Sequence, residues 1–299
     1  MEIGLVGTGP WGAHILRDLR ALGAVVHAVA RSPESIARAK TGGAAEIVAA
    51  PDALPPTCDG FVVANRTLSH LDAVEELLPR GRPIFVEKPL GMDVARAKRL
   101  APAAHRLVFV MHKWRYHPGI IELARIAASG EYGPVEGLRS FRLSWGTPHL
   151  DVSSLWALAP HEMAIALTIF GEVPRPVAAS QDALTRKEAA VIAHLRTSGG
   201  TPITFEVSPS HPTKLRRIML KCRDALLQLE DSNFGAVAAW PIGAREPRMI
   251  RVSDEMPLFA ELRAFCDHVR GGPPPMTALA EEIEIMEAIA KIDSMATRG

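Results

Sequence analysis

The chain has 299 residues, of which 47% are hydrophobic and 22% charged, with a formal net charge of +1. This is ample apolar material for one large or two ordinary folded domains, and it excludes disorder over most of the length. The near-zero charge, with no long basic run, excludes a global field that recruits nucleic acid or an anionic membrane, so the expected partner is a small molecule.

The first part of the chain alternates short apolar runs with helical patterns. Strands are expected at 3–6, 25–30, 60–64, 84–87 and 107–111. They read as near-continuous apolar runs, as strands covered on both faces do. Helices are expected near 10–22, 33–40, 68–78 and 93–100, the first with Ile15, Leu16, Leu19 and Leu22 on one stripe. The βαβ alternation predicts an N-terminal Rossmann domain, a doubly wound parallel sheet, over residues 1–117. The pattern changes after Pro118. A helix over 119–128 stops at Ser129-Gly130, and from Val135 the chain alternates with period two. Phe141, Leu143 and Trp145 point one way; Ser140, Arg142 and Ser144 point the other. A long helix near 154–170 precedes strands near 177–183, 189–196, 202–208, 215–221 and 226–230. Residues 118–299 are therefore expected to form an α/β domain on a large open mixed or antiparallel sheet with one half-polar face. Helices near 258–270 and 278–295 close the chain, and the last is able to pack back on the first domain. Its stripe of Leu279, Ile283, Met286, Ile289 and Ile292 reads as core or subunit interface.

No apolar run approaches the ~20 residues needed to span a bilayer, and no targeting segment is visible. Cys58, Cys222 and Cys266 lie far apart without metal-ligand spacing. Reduced thiols in a cytoplasmic protein are the simplest expectation, and no metal is expected.

Gly7-Thr8-Gly9-Pro10-Trp11-Gly12 fits G-x-G-x-x-G between a predicted strand and a predicted helix. The first glycine permits the tight turn, the second lets the backbone approach a pyrophosphate, and the third lets helix and strand pack closely. The helix N-terminus, with Pro10 in its first turn, presents N–H groups to phosphates. Gly7, Gly9, Pro10, Trp11 and Gly12 are thus candidates for holding a nicotinamide dinucleotide. An NAD-preferring site places Asp or Glu after the second strand to bond the ribose 2′-hydroxyl. Here that place reads Arg31-Ser32-Pro33, with no acid before Glu34. Arg31 and Ser32 suit a 2′-phosphate, which favours NADP. The competing reading makes Arg31 a solvated residue and accepts NAD as well.

The strand 84–87 ends in Glu87-Lys88-Pro89. Ligands of open α/β sheets sit at the carboxyl ends of strands, so Lys88 is placed to bond a substrate oxygen and stabilise developing alkoxide charge. A surface or capping lysine is the alternative. Taken with the Gly-rich turn, the segment resembles the glucose-fructose oxidoreductase/inositol dehydrogenase/rhizopine catabolism (Gfo/Idh/MocA) oxidoreductases. Asn65 to His70, Trp114-Arg115-Tyr116-His117-Pro118, Ser129 to Val135, Leu158-Ala159-Pro160-His161-Glu162 and Pro273 to Met276 resemble further family segments in the same order. The resemblance implies hydride transfer between nicotinamide and a carbinol or carbonyl carbon of a sugar, polyol or sugar-nucleotide-like substrate. It implies that Lys88 and His161 are the catalytic pair, that Glu87, Asn65 and His70 lie near the cofactor, and that Arg115 and Tyr116 line the substrate pocket. Trp145, His149 and Asp151 join that pocket by position only. It also implies pairing between subunits, hence a homodimer or homotetramer.

Two departures stand out. The family pattern Asp-x-x-x-His has Ala157 in place of the acid four residues before His161, and Asn65-Arg66 replaces the usual Thr-Pro. Loss of the carboxylate removes a group that orients and charges the imidazole. It motivates two alternatives: an imine or ketone reductase of secondary metabolism, and a cofactor-binding sensor or pseudoenzyme.

Overall fold

The computed structural model describes residues 1–146, 151–185, 188–230 and 235–297. They form two compact units, the first from Met1–Lys113 with Leu258–Ile283, the second from Trp114–Pro257 with Glu284–Gly299.

In the first unit, β1(Glu2–Val6), β2(Val25–Val29), β3(Glu46–Val48), β4(Gly60–Val63), β5(Ile84–Glu87) and β6(Val108–Met111) form one parallel sheet in the order β3-β2-β1-β4-β5-β6. The helices are α1(Pro10–Ala21), α2(Pro33–Thr41), α3(His70–Leu77) and α4(Val94–Ala104). The chain later returns to this unit with α7(Pro257–Val269). Ile15, Leu16 and Leu19 of α1 and Leu258, Leu262, Phe265 and Cys266 of α7 share one core with Ile3, Leu5, Val26, Val62, Phe85 and Phe109 of the sheet. Phe85 and Phe265 stack with ring centroids 5.0 Å apart. Such a pair contributes ~0.5–1.5 kcal/mol beyond the area it buries. β3 was not expected from the sequence: three residues are too few for a period to register. α4 outruns its expected end because Pro102 falls late in the helix, where the hydrogen bond it removes is one of the last. Burial pushes the Cys58 and Cys266 thiols up to about 11, which leaves them protonated packing groups.

The second unit starts with α5(Pro118–Ser129), β7(Val135–Trp145) and α6(Ser154–Phe170). Then come β8(Arg175–Thr185), β9(Glu188–Arg196), β10(Pro202–Ser208), β11(Ser210–Cys222), β12(Ala225–Glu230), β13(Ala236–Pro241) and β14(Arg248–Arg251). The eight strands form one sheet in the order β14-β13-β12-β11-β7-β10-β9-β8. β7 and β10 pair in parallel; the other pairs are antiparallel. The expected mixed sheet is therefore present, with two further strands. β13 escaped notice because its alanines carry little strand preference, and β14 because it is a four-residue edge. α6 covers β7, β9 and β10 and packs on α5. The first turn of α8(Leu279–Ala296) belongs to the first unit and the remainder to the second. Among the described residues no helix is long and apolar enough to cross a membrane.

The alternation in β7 did not say which side faces inward. The polar side does: Ser140 and Arg142 are buried beside Leu138, whereas Trp145 is 75% exposed.

Candidate active site

Val6 delivers the chain into Gly7, whose φ of +99° only glycine adopts at low cost, and whose N–H donates to Val29 O at 3.1 Å. A Cβ on Gly12 would lie 2.1 Å from Gly7 O, whereas a Cβ on Gly9 would meet nothing within 4 Å. The third glycine therefore serves helix–strand packing, and the second faces open space where a phosphate can approach. α1 begins with Pro10 after Gly9 and has no side-chain cap, so its N-terminus retains a positive end for an anion. The turn is also fastened to α2. Thr8 Oγ1 donates to Ser35 O at 2.8 Å, and Arg38 Nε donates to Thr8 O at 3.0 Å. These features fit a dinucleotide.

Ser32 caps α2 by accepting from Ser35 N, and Arg31, exposed, donates from Nε to Ala49 O at 2.8 Å. Glu34 reaches back: hydrogen bonds from its own backbone and from the Ser32 hydroxyl hold its carboxyl below the usual range. The sequence showed Glu34 only as a later acid; the structure ties it to Ser32.

Glu87 closes β5 and is buried with Lys88. Its carboxylate accepts from Trp11 Nε1 and, at 3.1 Å, from Lys88 N. Lys113 Nζ stands 4.6 Å above the Trp11 ring. Trp11 thus joins the Gly-rich turn to the end of β5. The Lys88–Pro89 peptide is cis. His70 is buried with Nδ1 at Pro89 O, 2.8 Å, and Nε2 at Asn65 O, 3.2 Å. It links the segment after β4 to the segment after β5, and Asn65 Nδ2 donates to Ser69 O.

Glu261 on α7 was not singled out by the sequence. It is fully buried, and neither carboxylate oxygen has a hydrogen-bond partner among the described residues. Burial and the nearby Glu87 charge raise its pKa well above the ordinary value of 4.5, against the opposing charge of Lys113. The folded chain therefore keeps a proton that the unfolded chain releases above about pH 4.5. Stability from this site is complete below that pH and declines as pH rises toward the folded value. Glu261→Gln has no such linkage, so its melting temperature relative to the parent is expected to be higher at pH 8 than at pH 5. A gap independent of pH in paired thermal scans would show an ionised Glu261.

In the second unit, Arg115 and Tyr116 lie on a short 3-10 turn, Tyr116 buried and Arg115 half-buried. Trp114 stacks on His117, whose Nδ1 accepts from Gly119 N and caps α5. His161 is half-buried on α6, with Ala157 buried one turn before it. The acid next to it in sequence, Glu162, pairs with Arg142 of β7 at 2.5 Å, both side chains almost wholly buried. Arg142 also lies 4.7 Å from the Trp114 ring centroid. Trp145 is exposed and Asp151 half-buried. His149 lies outside the described residues. Among the described residues no cluster of His, Cys, Asp and Glu is placed to hold a metal.

Residues 1–112 match the family model described as GFO_IDH_MocA, an oxidoreductase family with an NAD-binding Rossmann fold. Over those residues the chain is similar to the Gfo/Idh/MocA oxidoreductases. It is 29% identical over 158 residues to a myo-inositol dehydrogenase, Hyg17, of Streptomyces leeuwenhoekii, covering 50% of this chain and 48% of that one. It is 29% identical over 187 residues to inositol 2-dehydrogenase 2 of Saccharopolyspora erythraea, covering 58% and 54%. These alignments span about half the length of those Gfo/Idh/MocA relatives. Among solved structures, UDP-N-acetylglucosamine 3-dehydrogenase GnnA from Acidithiobacillus ferrooxidans superposes with a TM-score of 0.86 at 20% identity, covering 100% of this chain and 98% of that chain. That likeness shows the shared fold.

Proposed function

We propose that the chain is a nicotinamide-dependent oxidoreductase acting on the carbinol or carbonyl carbon of a sugar, polyol, cyclitol or sugar-nucleotide-like substrate. The bond from Trp11 to Glu87 carries the reading, because it ties the phosphate-binding turn to the strand end bearing Lys88 within one sheet. The relatives named inositol dehydrogenases support a cyclitol among the substrates.

Gly7, Gly9, Pro10, Trp11 and Gly12 would hold the pyrophosphate side of the cofactor, Arg31 and Ser32 the adenosine ribose, and Asn65, His70, Glu87 and Lys88 the nicotinamide side. The bound nicotinamide supplies a two-electron acceptor or donor. Lys88 holds the substrate oxygen through its ammonium and stabilises alkoxide charge. With Lys88 as the ammonium, the proton that leaves this oxygen during oxidation passes to His161; with Lys88 as the neutral amine, it passes to Lys88, which becomes the ammonium, and in reduction the same group returns it. Arg115, Tyr116, Trp145, His149 and Asp151 are assigned to the substrate. A panel of cyclitols, sugars and nucleotide sugars, followed by cofactor absorbance, tests the reading. The alanine at 157 favours a second reading: turnover of cyclic imines with none of polyols selects it. Tight cofactor binding with no turnover of either class selects a sensor.

The finer cofactor reading is NADP. The guanidinium of Arg31, just past β2, is oriented by its bond to Ala49 O, just past β3. Arg31→Asp is expected to weaken NADPH far more than NADH in fluorescence titrations; equal weakening of both would refute the preference. We also assign the chain to a cytoplasmic homodimer or homotetramer. Trp145, Val177, Trp240 and Met249 of the eight-stranded sheet are exposed, which supports self-association. Light scattering at the monomer mass would remove this assignment.

A further inference from the structure

The turn carrying Lys88 is gripped from two sides. His70 reaches it from α3 through Pro89 O. On the other side, Leu90 N donates to Glu282 Oε1 at 3.1 Å, and Glu282 Oε2 meets His112 Nε2 at 2.6 Å. The side chains of Glu282 and His112 are both 0% exposed. Glu282 reaches this place because the chain just before α8 pairs with β6: Ala278 bridges Phe109, and Val110 N donates to Thr277 O at 3.1 Å. His112 directly follows β6, so its ring meets the carboxylate from the sheet side.

Burying a carboxylate and an imidazole together is costly in desolvation, and apolar residues of similar volume fill such a place at equal or better stability. The pair does something apolar residues cannot: it supplies an acceptor at a fixed point for one backbone N–H. That N–H belongs to the residue two past Lys88.

We propose that Glu282, held by His112, is a positioning residue that fixes the Lys88-Pro89-Leu90 turn and so places the Lys88 amine. This rests on the reading of Lys88 as the group that handles the substrate proton. A misplacement of about 1 Å is enough to cost on the order of 10²-fold in rate, so a backbone anchor at this distance suffices to matter.

The test compares the full-length parent with E282Q, E282L and K88A. Glutamine keeps an oxygen for Leu90 N, and His112 accepts from its amide by changing tautomer. Leucine keeps the volume and removes the acceptor. Hydrogen–deuterium exchange of the segment 88–91 reads the turn, with β1 as reference for general loosening. E282L is expected to raise exchange in 88–91 by at least ~10-fold while β1 stays at the parent rate, and E282Q to keep the parent pattern. Equal change in both segments, or no change in 88–91, overturns the proposal. Turnover of myo-inositol or of another substrate of the panel gives the second reading. E282L is expected to lower kcat by about 10- to 100-fold with the cofactor KM little changed, and to add no further loss in the K88A background. The same fold loss in both backgrounds makes Glu282 merely structural. Loss in K88A with none in E282L overturns the positioning claim alone. Full turnover in K88A overturns the role of the lysine itself. If E282L does not fold, H112A against H112Q carries the same comparison.

Discussion

Lys88→Ala is expected to lower turnover by at least ~10²-fold, the scale of a lost proton donor or oxyanion partner. Lys88 directly follows β5 and is buried, as is Glu87, and the truncation removes no part of the Gly-rich turn. Lys88 is assigned only to the nicotinamide end of the dinucleotide, so cofactor affinity is expected to fall less than turnover, with the larger loss on kcat. Lys88→Arg separates charge from proton exchange. Arginine donates to a substrate oxygen but stays protonated throughout the accessible pH range. Activity as low as that of the alanine variant assigns Lys88 to proton transfer; an intermediate rate assigns it to charge stabilisation. Steady-state rates with saturating cofactor decide this, and parental turnover in the alanine variant removes Lys88 from the chemistry.

The second large effect is on stability. Glu162→Ala is expected to cost ~3–5 kcal/mol, because it strands the Arg142 guanidinium in the interior without its carboxylate. Arg142 approaches Glu162 at 2.5 Å with its side chain 5% exposed, and the Trp114 ring covers it. The double replacement Arg142→Met with Glu162→Leu removes both charges and is expected to be near neutral or stabilising. Urea unfolding measures both. A loss in the double variant as large as in Glu162→Ala would show that packing around the pair, and not the stranded charge, sets the cost. Glu162 is also the residue after His161, so its bond to β7 seats the turn of α6 that carries the histidine.

Much of the first unit was legible because its signals are local. Strand, Gly-rich turn and helix follow one another within Glu2 to Ala21, and each glycine has its own steric reason. Glu87 and Lys88 were legible because a strand end followed by proline marks its own place. The partners of these residues were not. Glu282, Glu261 and Lys113 meet the Lys88 region only through tertiary contacts, and acids on amphipathic helices look like solvated faces. The same holds for Arg142. Period two placed it opposite Phe141 but could not say that the charged side faces inward, which depends on a helix later in the chain. His70 shows the reverse case: the sequence marked the residue, and the structure shows which two carbonyls it joins.

The first unit takes α7 from the far side of the second unit's sequence, and Leu262, Phe265 and Cys266 are fully buried in its core. Order of synthesis then has a consequence. A growing chain that has released β1 to β6 shows the apolar faces of Phe85, Val62 and Phe109 with no α7 to meet them. Translation at ~5–20 residues per second leaves that surface open for an interval on the order of ten seconds. The eight-stranded sheet, by contrast, has all its strands before α7 emerges. The domain that comes first in the chain therefore waits for every strand of the second unit's sheet before its own core is complete.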